Sequence, residues 1–361
     1  MNYYIKMFQL DRLWNEIKDD ALSLIDSAAA TGLGQKSKAV KDLETALSTY
    51  SNRKHVITTA SCTDALTCAI EALNLPPKSL VAIQSLTFIA AATSIIRSGM
   101  IPYFIDVDEC GHIKLETIPK NCSAVIVTDL WGCSIDYEKL QNWQKENPNI
   151  FVIMDAAQSI ESSLNADKSL SQGIISVTSF SPSKTIPSWG SGGALLTDND
   201  KIHNFAKKWI THGKEKNSDF ATIFGANSTL GTLEAAQLLS VFISHKERHN
   251  RRCKIAESYI NALKDSYIKP LPYRGIHTWH KFIIDCVEQR EKIIEIFNAN
   301  GIETKTFYQP LITDEPLYKD FMHTDMNCSN YFSKNLLAIP CQSTLNDNEI
   351  FKICEVLSDI K

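Results

Sequence analysis

No run of apolar residues in this chain approaches the length needed to cross a bilayer. The start, Met1 to Asp20, is polar and helix-like and has no apolar core of the kind a secretory leader carries. Neither sign of charge dominates: the formal net charge is -4, so electrostatics give no case for nucleic acid or an anionic membrane surface. The local basic run Lys246 to Arg252 is broken by Glu247 and reads as a solvated helix face. The chain has 10 cysteines and no close CxxC pair among them, which argues against a zinc site, and no metal is expected. Many of these cysteines sit in apolar runs, where a free thiol packs as a small hydrophobe. That usage fits a reducing cytoplasm better than a secreted disulfide scaffold. Internal repeats and low-complexity linkers are also lacking.

What is present is an ordinary globular composition, 44% hydrophobic and 22% charged over 361 residues. That length suits one large and one smaller domain. Short β-branched runs (His55 to Thr59, Leu80 to Ile83, Ile101 to Asp108, Ala124 to Thr128, Phe151 to Asp155) alternate with helical patterns (Asp64 to Leu73, Ala90 to Ser98, Tyr137 to Glu146). Alternation of this kind predicts an α/β fold with a mainly parallel sheet covered by helices. Amphipathic helices precede it, over residues 10 to 30 and Lys38 to Tyr50, separated by Thr31-Gly32-Leu33-Gly34. A polar surface loop is expected over Lys214 to Phe220, and one long helix from Thr232 to His249. We expect an N-terminal segment and large domain over residues 1–245 and a small C-terminal α+β domain over 246–361. The second would hold a strand from Trp279 to Asp285 and a closing helix from Asn346 to Ile360.

Two stretches carry chemistry. Ser176 to Lys184 is a β-branched run ending in small hydroxyl residues and one lysine, closed by the turn Ser191-Gly192-Gly193. Phe151 to Gln158 is a buried-type strand ending in Asp155. Alone, Lys184 reads as a loop lysine and Asp155 as a helix N-cap. Together they supply what pyridoxal 5'-phosphate chemistry needs: an amine that bonds to the cofactor aldehyde, and a carboxylate that keeps the pyridine nitrogen protonated. A third stretch, Ala60-Ser61-Cys62-Thr63, joins a strand to a helix. Ser61 or Thr63 can cap that helix, and its unpaired first N–H groups can bind a phosphate; the two roles are compatible.

With Ser61 to Leu66, Asp155-Ala156-Ala157-Gln158 and Ser179 to Lys184 in this order, the chain resembles the DegT/DnrJ/EryC1/StrS group of fold-type I pyridoxal-phosphate aminotransferases from about Gly34 to the C-terminus. The resemblance implies amino transfer from an amino acid, L-glutamate by analogy, to a nucleotide-linked keto-sugar, for cell-surface glycan or other glycoconjugate synthesis. Pyridoxamine 5'-phosphate would be the intermediate form of the cofactor. Lys184 would be covalent anchor and general acid–base. Cys62 and Thr63 would belong to the loop that grips the phosphate, with Ser179 donating to it. Phe88 would stack on the ring and Gln158 would reach its hydroxyl oxygen. Asn227 would cross from one subunit to the cofactor phosphate of the other, implying a homodimer with active sites at the interface. His212 and Tyr308 would border the substrate. Without the resemblance Phe88 reads as a core aromatic, and His212 reads also as a histidine favoured by a helix C-terminus. The chain departs from the pattern at Cys62, where glycine is usual, at Ser191, where an acid is usual, and at Thr229, where an arginine is usual. A sugar dehydratase of the same fold, or a cofactor-retaining binding protein, are the alternatives; Lys184 argues against the first.

Overall fold

The computed structural model describes residues 4–215 and 220–361. Residues 1–3 and part of the surface loop expected over Lys214 to Phe220 lie outside the described residues. The strands are β1 (His55–Thr59), β2 (Leu80–Gln84), β3 (Ile101–Ile105), β4 (Cys122–Thr128), β5 (Phe151–Asp155), β6 (Ser163–Leu164), β7 (Asp167–Lys168), β8 (Ile175–Ser179), β9 (Gly193–Thr197), β10 (Lys269–Pro270), β11 (Phe282–Asp285) and β12 (Leu336–Ile339). The helices are α1 (Leu10–Ala29), α2 (Lys38–Ser51), α3 (Cys62–Ala72), α4 (Ala90–Arg97), α5 (Tyr137–Glu146), α6 (Asp200–Trp209), α7 (Thr232–Ile243), α8 (His245–Ala262), α9 (Arg290–Ala299), α10 (Asn327–Asn335) and α11 (Asp347–Asp359). Ser37, Ser61, Asp136, Asn199 and Asn346 each accept a backbone N–H from the first turn of the helix they precede, worth about 1 kcal/mol per cap.

Seven strands form one sheet in the order β1-β9-β8-β5-β4-β2-β3. Neighbours from β3 to β8 pair in parallel, and only β9 runs against the rest. This is the expected mainly parallel sheet. Its central strands are buried on both faces, which is why they read as unbroken apolar runs. Cores fill both sides, one under α3, α4 and α6, the other under α5 and the strand ends near Ile113 and Ile118. Because the strands run the same way, the ends of β1, β2, β4, β5 and β8 share one edge, together with the start of β9. The register puts Thr128 beside Asp155 and Gly193 between Thr59 and Ser179. Strand ends at one edge are where α/β sheets collect ligand-binding residues.

A second, antiparallel sheet, β10-β11-β12, packs with α8, α9 and α11 around its own apolar cluster. Ile5 belongs to that cluster and bridges to Ile302, while α1 is tied to α11 by two bonds from Arg12 to Glu349 at 2.6 and 2.7 Å. The N-terminal segment thus reaches the C-terminal sheet. Among the described residues no helix is long and apolar enough to cross a membrane.

Three local expectations need correcting. The helix expected over Thr232 to His249 breaks at Ser244, and α8 then runs on to Ala262. The basic run on α8 is a solvated face only in part: Lys246, Glu247 and Asn250 are exposed, but two of its arginines are not. Arg248 and Arg252 are buried, with Arg248 bonded to the Val241 carbonyl and Ser244 hydroxyl, and Arg252 to Glu161 and the Thr278 carbonyl. Charge spacing could not reveal this: the partners of Arg252 come from distant segments, and those of Arg248 face it only because the chain turns at Ser244. Lastly, Trp279, His280 and Lys281 precede β11 rather than belonging to it, with Trp279 at a φ of 53°.

Candidate active site

Asp155 ends β5 and is buried. Its Oδ1 accepts the N–H of Ala157 at 3.0 Å, the local turn that a strand-end aspartate favours. Burial raises its pKa, opposed by the Ala157 N–H, by the nearby charge of Lys184 and by the Thr128 hydroxyl. Lys184 lies on the turn after β8, where its N–H donates to the Ser181 carbonyl at 2.9 Å. Burial lowers the pKa of its ammonium, and Asp155 opposes the shift. The two groups expected from sequence therefore come within electrostatic reach, each drawn from water toward its neutral form. A lysine of lowered pKa has the free amine that a nucleophile and proton carrier needs.

Gln158 is the hub beside them. Its Oε1 accepts the Trp131 N–H at 3.0 Å and faces His280 Nδ1 at 3.1 Å, and its Nε2 donates to the Tyr308 hydroxyl at 3.1 Å. His280 Nε2 in turn meets the carbonyl of Ser183, the residue before Lys184, at 2.9 Å. Burial, then the charges of Lys281 and Lys184, hold the His280 ring far below its ordinary pKa. It is neutral and has one N–H to offer the two oxygens it faces. Tyr308 closes the other side, its ring 6.2 Å from that of Phe88. Phe88 is 54% exposed, so it is not a core aromatic: it stands at the mouth of the site, after β2.

The start of α3 faces this group. Ser61 caps the helix by accepting the Asp64 N–H at 3.1 Å. The N–H groups of Cys62 and Thr63 are the first of the helix and have no intrahelical acceptor. Cys62 is half-buried against the main core, and its thiol, raised well above its ordinary pKa by burial and by Asp155, stays protonated close to Asp155 and Lys184. A side chain there instead of glycine is thus accommodated by packing. Ser179 ends β8, and its Oγ accepts the Ser181 N–H at 3.3 Å, leaving its own proton free to donate. Gly193 makes the junction possible. A Cβ on it would lie 2.5 Å from the Cys62 nitrogen and 2.7 Å from the Ser61 carbonyl carbon.

Cys62, Thr63, Phe88, Asp155, Gln158, Ser179, Lys184 and Tyr308 are therefore gathered at one sheet edge. His212 and Asn227 are placed differently. His212, at a φ of 61°, follows α6 and donates its N–H to Ala226 at 2.9 Å, while Asn227 bridges to Thr211. Among the described residues no hydrogen bond joins either to Asp155, Gln158 or Lys184. The next residue, Ser228, bonds Asp64 at 2.8 Å and accepts the Ala60 N–H at 3.0 Å, so this segment lies against the start of α3. Sequence reasoning missed His280 and Lys281. Their run reads as the opening of a strand, in which polar residues pass for the solvent face.

These residues fit pyridoxal phosphate. A helix start with unpaired donors and a free hydroxyl suits the phosphate. Asp155 suits the ring nitrogen, Phe88 offers an open aromatic face, and Lys184 lies within electrostatic reach of Asp155. Among solved structures, an aminotransferase from Brucella abortus is similar over 98% of both chains, at 26% identity and a TM-score of 0.92. Among curated proteins, a pleiotropic regulatory protein of Geobacillus stearothermophilus is 25% identical over 98% of both chains. The UDP-2-acetamido-2-deoxy-3-oxo-D-glucuronate aminotransferase of Pseudomonas aeruginosa is 26% identical over 98% of this chain and 100% of its own. The fold is that of the fold-type I aminotransferases. The family profile that describes DegT/DnrJ/EryC1/StrS aminotransferases matches residues 15–358, and with nearly the whole chain covered, the protein belongs to that family.

Proposed function

We propose that the protein is a pyridoxal-phosphate-dependent aminotransferase that moves an amino group from an amino acid, L-glutamate, to a nucleotide-linked keto-sugar. The observation that carries this is the buried pair of Asp155 and Lys184, set against the capped start of α3. Support for the substrate class comes from relatives named for UDP-, dTDP- and GDP-linked sugars, at 24–28% identity. A homodimer is supported by the resemblance at Asn227 and by Phe224, which is 97% exposed three residues earlier. Ten free cysteines support a cytoplasmic setting.

When bound, the cofactor supplies an electron sink. The chain's residues do the rest. Asp155 holds a proton at the ring nitrogen. Cys62 and Thr63 N–H and the Ser179 hydroxyl bind the phosphate. Lys184 is the anchor, and once free its Nζ removes the proton from the donor's α-carbon and later delivers one to the sugar carbon. The lowered pKa of Lys184 favours the neutral amine that the first task requires.

The test is the visible spectrum of the protein mixed with pyridoxal phosphate, before and after L-glutamate. A band of lysine-bound cofactor, absent in Lys184→Ala, that glutamate converts to the pyridoxamine form is the expected result. Near-normal turnover in Lys184→Ala would remove the proposal, and so would the absence of any band.

A further inference from the structure

Lys281 is a buried amine that the reaction as described does not use. It is 4% exposed, and among the described residues its Nζ has no hydrogen-bond partner. Its backbone is fixed, with the N–H donating to the Trp131 carbonyl at 3.3 Å and its neighbour His280 bonded to Gln158 and Ser183. Its Nζ lies 4.0 Å from the centre of the Phe8 ring and 5.2 Å from that of Phe307, the residue before Tyr308. The charged and titratable groups that act on it are Lys184, Cys341 and Lys305, with no carboxylate among them. Burial, reinforced by Lys184, holds its pKa well below that of an ordinary lysine. Aromatic faces steady a cation only in part. A buried amine with no acceptor, within electrostatic reach of the reacting lysine, is a ready partner for an anion.

We propose that Lys281 binds the α-carboxylate of the amino-acid donor while the donor's nitrogen stands at Lys184; this rests on the aminotransferase reading. Every amino-acid donor carries a carboxylate one carbon from its nitrogen, so that group must come close to Lys184. The cofactor's phosphate is accounted for at α3, and the phosphates of a sugar nucleotide lie away from the reacting carbonyl. The proton balance also closes. The donor's ammonium must lose a proton before its nitrogen can attack, and Lys281 gains one when it pairs with the carboxylate.

The experiment uses the cofactor-loaded protein and α-methyl-L-glutamate, which keeps the carboxylates and has no α-proton to lose. Its affinity is read from the cofactor spectrum in wild type, Lys281→Met and Lys281→Arg. Lys281→Met is expected to weaken binding about 10-fold or more, with Lys281→Arg recovering part of the loss. Pyridoxal phosphate affinity and the KM for sugar should change less than about 2-fold. The melting temperature of Lys281→Met should match or exceed wild type, since an unpaired buried amine is removed. A Lys281→Met protein that binds the analogue within about 2-fold of wild type overturns the proposal, as does an equal loss of cofactor affinity. A wild-type spectrum that no amino acid alters sinks the aminotransferase reading itself, and with it the role of Lys281. That failure shows in the unsubstituted protein, so the two are distinguishable.

Discussion

Gly193→Ala tests the geometry of the phosphate end directly. The new Cβ would sit 2.5 Å from Cys62 N, 2.7 Å from the Ser61 carbonyl carbon and 2.8 Å from Cys62 Cα. All three are backbone atoms, so no side chain can swing away. Ordinary carbon contacts begin near ~3.5 Å, so β9 and the start of α3 must separate by roughly 1 Å. The strand is held on both sides, by Thr59 and Ser179, so the helix start is the part that moves. Overpacking of this kind costs about 1–3 kcal/mol. The same shift draws the Cys62 and Thr63 N–H groups off the phosphate, and weakening one charge-assisted bond of about 1.5–3 kcal/mol raises the dissociation constant for pyridoxal phosphate about 10- to 100-fold. The assays are urea denaturation of the protein without cofactor and absorbance titration with pyridoxal phosphate. Gly190→Ala, in the same turn, is the control: its Cβ would meet nothing closer than Ser188 Oγ at 3.9 Å. Unchanged stability in Gly193→Ala would refute the close approach. Lowered stability with cofactor affinity within about 2-fold of wild type would refute the assignment of the phosphate to the start of α3.

Arg252 and Glu161 form an ion pair with both side chains almost fully out of water, so Arg252→Met alone should lower stability by about 3–5 kcal/mol, while adding Glu161→Leu should restore part of the loss; equal stability of the single and double variants in urea would contradict this. Asp106 shows a pH effect of definite sign. Burial works to raise its pKa, but Lys114, the hydroxyl and N–H of Ser329 and the N–H of Cys328 outweigh it, and the net shift is downward. The stabilisation is therefore complete above the ordinary carboxylate range and fades as pH falls through the lowered value. Wild type should exceed Asp106→Asn in stability at pH 7, and the difference should shrink as the buffer is taken below about pH 4. A difference that grows on acidification would reverse the sign and refute the assignment.

Much of this site is legible in the sequence because its members lie at strand ends. A β-branched run that stops at Asp155, and another that stops at Ser179 with Lys184 in the following turn, identify both position and chemistry. In a parallel sheet such ends necessarily share an edge. The strand-to-helix junction at Ser61 is equally local, since a cap and its first turn involve only neighbouring residues. By themselves, then, the residues determined the α/β class, the lysine–aspartate pair and the helix start.

Tertiary structure decided the rest, wherever a residue's role depends on what stands opposite. Gly193 looks like any turn glycine until Cys62 comes 2.5 Å from where its Cβ would be. Phe88 could be core or mouth, and only its exposure settles which. Arg248 and Arg252 have the spacing of a wet helix face, yet are buried: Val241, at the end of the preceding helix, supplies an acceptor to the first, and the distant Glu161 and Thr278 supply acceptors to the second. His280 and Lys281 read as the opening of a strand, but the bend before β11 carries His280 against Gln158 and Ser183 and Lys281 over the rings of Phe8 and Phe307. Periodicity reports which side of an element faces inward. It carries no information about which distant atoms wait there, and buried polar groups are defined by those atoms.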